Sequence, residues 1–112
     1  MCKINEQKAL LFGGYHYGAL NDNWIFDSEY KDWCFVNPNT NNYRRSQGTM
    51  AYLAQNKTLL FGGNTIEDTI NPERAEYADD TWIFNLQDTT WWSMEATWSK
   101  LELDVKPMAR RF

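Results

Sequence analysis

One histidine, His16, stands among the 112 residues, so neither a histidine dyad nor a multi-histidine metal site can be assembled from this sequence. Two cysteines, Cys2 and Cys34, are too few for a disulfide framework. No stretch approaches the ~18 consecutive apolar residues of a spanning helix. Basic residues are scarce as well: 11 Lys and Arg against 15 Asp and Glu leave a net charge of −4, which argues against a nucleic-acid surface. Helical periodicity is missing too. The best window, residues 71–78, contains Pro72 and has no apolar stripe. What remains is 43% hydrophobic and 16% aromatic, enough to pack one core.

The chain repeats itself. Leu10-Leu11-Phe12-Gly13-Gly14 returns as Leu59-Leu60-Phe61-Gly62-Gly63, the glycine pairs lying 49 positions apart, each preceded by a lysine, Lys8 or Lys57. An aromatic run follows in both copies: Asn23-Trp24-Ile25-Phe26 and then Trp33, Thr81-Trp82-Ile83-Phe84 and then Trp91. Short apolar runs punctuated by Asn, Asp, Thr and Gly mark an all-β chain. Four strands are expected per copy, at residues 1–4, 9–12, 23–26 and 33–36, then 49–53, 58–61, 81–84 and 91–94. β-Branched and aromatic residues favour a pleated surface, and near-continuous apolar runs suit a sheet covered on both faces.

An apolar run ending in a double glycine, an aromatic third strand and a fourth-strand tryptophan together resemble the kelch repeat family. The resemblance implies a β-propeller segment of two four-stranded antiparallel blades, residues 1–48 and 49–106, with residues 107–112 opening a third repeat. In that reading Gly13, Gly14, Gly62 and Gly63 shape the backbone after the second strand. Trp24 and Trp82 belong to the third strands, and Trp33 and Trp91 plug the space between blades. Propellers close with ~4–8 blades. Further blades are therefore expected, in a longer chain sooner than in several copies, because open blade faces invite aggregation. No signal-peptide pattern opens the sequence.

No catalytic constellation stands out. Some kelch-like propellers are copper and tyrosine-radical oxidases, but that chemistry needs paired histidines and a cysteine–tyrosine crosslink that this segment does not supply. No metal and no cofactor are implied. Asp22, Asp79 and Asp80 precede the third strands, where aspartates satisfy local backbone N–H groups. Cys34 reads as a buried, unreactive thiol. A Cys2–Cys34 disulfide is not expected, since three inter-strand steps of ~4.8 Å exceed the ~4.4–6.8 Å Cα separation a disulfide tolerates.

Loop lengths point elsewhere. Measured between like residues, the second-to-third-strand loop grows by nine residues in the second copy and the fourth-to-first-strand loop by eight. The other turns keep their length, so all insertion falls at one end of the blades, where repeat arrays commonly bind. That end carries Tyr15, His16, Tyr17 and the paired arginines Arg44, Arg45, Arg110 and Arg111, with Arg44 aligned on Arg110. The expected function is a protein- or peptide-binding module. The alternative is part of a galactose-oxidase-like enzyme, or a glycan-binding domain, with its working residues outside this segment.

Overall fold

A computed structural model describes residues 1–66, 76–91 and 93–110. The described residues form ten strands and no helix, so none is available to cross a membrane. The first sheet runs β1 (Cys2–Lys3), β2 (Lys8–Phe12), β3 (Asn23–Asp27) and β4 (Asp32–Val36), paired antiparallel in chain order. The second consists of β5 (Thr49–Ala54), β6 (Lys57–Phe61), β9 (Thr81–Asp88) and β10 (Glu95–Leu101), also antiparallel in chain order. A small ribbon, β7 (Asn64–Ile66) with β8 (Glu76–Tyr77), rises from the loop between β6 and β9. Both cysteines are free, on the outer strands of the first sheet.

Alternation along each strand decides which side chains meet. From the first sheet Ile4, Leu10, Phe12, Ile25 and Val36 point to the second sheet, which answers with Leu60, Trp82, Phe84, Leu86, Ala96 and Trp98. Trp98 is the centre, 0% exposed, its ring 4.7 Å from Phe12 and 5.2 Å from Phe84. Its indole N–H donates across the interface to Asn23 Oδ1 at 2.8 Å. The backbone also joins the sheets where Asn56 N–H donates to the Ile4 carbonyl at 2.6 Å.

The fourth strand of the second sheet is not where the sequence spacing put it. Phe26 pairs with Trp33 across β3 and β4, but Phe84 pairs with Trp98, not with Trp91. The first hairpin closes early because Asp27 Oδ1 takes the N–H groups of Glu29 and Tyr30 at 2.8 and 2.9 Å, a local turn beside Lys31 at φ 56°. Asn85 stands in that position in β9. The strand continues through Leu86, which is buried and whose N–H donates to the Asn56 carbonyl at 2.8 Å. Trp91 is left in the β9–β10 connection, stacked on Tyr30 at 5.3 Å. Trp33 lies on the outer face of the first sheet, 42% exposed, away from the contact between these two sheets.

Loop accounting changes with it. Seven positions separate Phe26 from Trp33 and fourteen separate Phe84 from Trp98, so the β9–β10 turn takes an insertion. Twelve positions separate Trp33 from Arg45, and twelve separate Trp98 from Arg110. The segment after the fourth strand has not lengthened. Insertions fall at both ends of the sheets, not at one.

The glycine pairs hold the same backbone shape twice, Gly13 and Gly62 at φ 70° and 73°, Gly14 and Gly63 at 105° and 104°. An added Cβ at Gly63 would lie 2.7 Å from the Ser46 carbonyl oxygen and 2.9 Å from Gly48 N, whereas at Gly14 it meets nothing within 4 Å. The backbone strain is common to both, so comparing them isolates the close approach. Gly14→Ala should cost about 1–2 kcal/mol and Gly63→Ala about 3 kcal/mol or more. Urea titrations of the two variants check the order, and equal losses would remove the steric part of this account.

Candidate binding face

The loops at one end of the two sheets are sewn together by backbone. Gly14 N–H donates to the Arg45 carbonyl at 2.9 Å and Arg45 N–H to the Leu20 carbonyl at 3.0 Å. Gly63 N–H donates to the Arg110 carbonyl at 2.7 Å and Arg110 N–H to the Ala78 carbonyl at 3.3 Å. Arg110 is thus the counterpart of Arg45, not of Arg44. The one-residue difference matters because successive side chains point opposite ways.

Arg45 turns inward and is 2% exposed. Its Nη1 and Nη2 donate to Asp80 Oδ1 and Oδ2, both at 2.9 Å, a fork-on-fork pair. Nη1 also donates to the Gly62 carbonyl at 2.9 Å and Nη2 to Asn42 Oδ1 at 2.8 Å, while Nε finds no partner. This arginine cannot grip a ligand; it clasps the chain leaving the first sheet to the second. Arg44, beside it, is exposed and remains on the face.

The aspartates before the third strands do more than satisfy local backbone N–H groups. Asp22 accepts the Trp24 indole N–H at 2.8 Å and Asp80 the Trp82 indole N–H at 2.6 Å. Asp80 alone also holds a guanidinium. Burial by itself would raise its pKa, but the Arg45 and Trp82 hydrogen bonds outweigh that and hold it below its ordinary value. Asp79 forms a half-exposed ion pair with Lys106 at 3.4 Å. A further ion pair, absent from the sequence expectation, joins Lys8 to Asp27 at 3.0 Å with both side chains buried.

Tyr15, His16 and Tyr17 form a tight exposed loop, closed by a Tyr15–Ala19 bridge and by His16 N–H donating to the Gly18 carbonyl at 2.9 Å. Tyr17 sits at φ 55° with its ring 94% exposed and edge-on to His16 at 4.7 Å. A tyrosine held in left-handed backbone with almost no burial gains nothing for stability there. Tyr43 and Tyr77, unremarked in the sequence, are exposed at the same end. The unbroken polar run on both sides of Tyr43, from Asn39 to Ser46, was the available signal. Asn21, Asn42, Tyr43, Arg44, Thr65 and Glu76 line an open hollow of about 540 Å³. Arg111 and residues 67–75 of the long insertion lie outside the described residues.

Cys34 is half-buried, its Sγ 3.6 Å from the Trp91 carbonyl oxygen, and desolvation raises its pKa, as does the nearby Asp32. Among the described residues, no three or more His, Cys, Asp or Glu side chains are grouped to hold a metal ion. Neither a scan against protein-family models nor a search of curated proteins finds a match for this chain.

Proposed function

We propose that the chain is a protein- or peptide-binding module, two blades of a kelch-type β-propeller presenting the end that carries Tyr17, Tyr43 and Arg44. The supporting observation is the company these residues keep: exposed tyrosines at one end of the sheets, with Tyr43 and a free-standing Arg44 lining an open hollow, mounted on loops stitched by backbone hydrogen bonds. Tyrosine and arginine are the residue types that carry most binding energy at interfaces, and rigid loops lose little entropy on binding. Tyr43 is anchored edge-on to Trp82 at 5.8 Å while most of its ring faces solvent. Arg44 favours a ligand with a carboxylate, which a guanidinium binds through two parallel hydrogen bonds.

Selection from a displayed random-peptide library tests the reading. Selected peptides should carry acidic residues, and Tyr17→Ala, Tyr43→Ala and Arg44→Ala should each weaken them about tenfold, with melting temperatures unchanged. Peptides that bind the three variants as tightly as the wild type would remove this face from consideration.

A further inference from the structure

The contact between the two sheets is written once more, in halves, on their outer faces. We infer that a second copy of the chain docks head to tail, its first sheet against the outer face of the first copy's second sheet, with Arg110 of one copy clasping Asp22 of the other.

The strand registers supply the correspondence. Leu10 pairs with Ile25 as Leu59 pairs with Ile83, and Val36 with Asn23 as Leu101 with Thr81. Leu10, Ile25 and Val36 are buried between the sheets, while Leu59, Ile83 and Leu101 on the far side of the second sheet are only half-buried. The opposite partner recurs as well. Leu60, Trp82, Phe84 and Trp98 face the first sheet and are buried. Their counterparts Leu11, Trp24, Phe26 and Trp33 form the outer face of the first sheet, with Leu11 and Trp33 exposed. Each outer face therefore carries one half of an apolar contact that the chain already makes internally.

The polar clasp follows the same step. Within the chain, the arginine twelve positions beyond the fourth-strand tryptophan binds the aspartate that holds the third-strand indole. Arg110 repeats that arginine: its backbone makes the same two hydrogen bonds as that of Arg45, and its guanidinium makes only an Nε bond to the Met108 carbonyl at 3.1 Å among the described residues. Asp22 repeats that aspartate, with its Trp24 bond formed and no guanidinium on it among the described residues. Positive charge on one outer face and negative charge on the other set a single docking direction. The contact is heterologous, so copies add in series and close a ring where the rotation per copy allows. This does not rest on the ligand-binding reading, which concerns loop residues that the docking leaves in place.

Charge exchange tests it. Sedimentation velocity of the wild type should give species at multiples of 13.3 kDa. Arg110→Asp and Asp22→Arg should each sediment as monomers, because like charges then meet. Mixed in equal amounts they should assemble again, since both junctions become oppositely charged. Should an exchange disturb the circular dichroism spectrum, Arg110→Gln and Asp22→Asn replace it, each raising the dissociation constant at least about tenfold. Assembly indifferent to these substitutions, or failure of the mixture to reassemble, overturns the pairing. A wild type that stays monomeric overturns the docking itself and leaves both faces to repeat units of another chain.

Discussion

Asp80→Ala should destabilise the protein by about 3–5 kcal/mol, because it strips the anion from a guanidinium that is 2% exposed and cannot reach water. Arg45→Ala should cost a similar amount, also losing the hydrogen bonds to Gly62 and Asn42. Arg45→Lys should recover little, since one ammonium cannot replace the planar fork on Asp80. Against a usual total of ~5–15 kcal/mol, such a loss leaves a large unfolded fraction. Arg44→Ala, one position away, should change stability by no more than about 0.5 kcal/mol. Urea midpoints of the four variants measure the contrast, and equal effects at the two neighbouring arginines would contradict the clasp. Acid should act on the same pair. Asp80 has its pKa lowered by folding, so its contribution is complete above the ordinary carboxylate value and is lost as pH falls through the folded one. Asp27 behaves alike: burial opposes ionisation, but hydrogen bonds from Tyr30, Lys8 and Glu29 win. The urea midpoint should be level from about pH 7 to 5 and fall below about pH 4, less steeply in Arg45→Ala.

Trp98→Ala should cost about 3–5 kcal/mol, the range for deleting a large aromatic from a packed core. The indole touches Phe12, Phe84 and Asn23 together, and its removal strands Asn23 Oδ1 in the interior. Trp91→Ala should cost about 1 kcal/mol, a half-buried ring losing one stacking partner. Trp98→Phe separates the two parts of the Trp98 effect by keeping most of the ring volume while removing the indole N–H. Thermal melts of these variants, compared at the midpoint, check the ranking. A larger loss at Trp91 than at Trp98 would mean that β10 had been placed in the wrong register.

Six of the eight strands of the two large sheets lie within a residue or two of where short apolar runs between turn residues place them, and β9 starts where expected but runs four residues further. That signal is local: each run carries its own β-branched and aromatic residues, and each double glycine its own need for positive φ. The eighth strand shows where locality ends. Trp91 has the same spacing from Phe84 that Trp33 has from Phe26, while Trp98 has the same spacing from Arg110 that Trp33 has from Arg45, so the sequence carries two competing signals. The decision came from elsewhere in the fold, where residues 39 and 40 pair with Ala96 and Trp98 along the free edge of β10 and where Asn23 waits for an indole. Arg44 and Arg45 make the same point at the candidate site. Adjacent and chemically identical, they are equally suited by sequence to contact a ligand, and only the position of Asp80, thirty-five residues later, takes one into the interior and leaves the other in solvent. The sequence alone determined an all-β chain built from two copies of one unit, because periodicity and turn chemistry act over a few residues. Which tryptophan fills the core, which arginine is buried and which faces stay uncovered were decided by tertiary structure, because those outcomes depend on contacts between segments far apart in the chain.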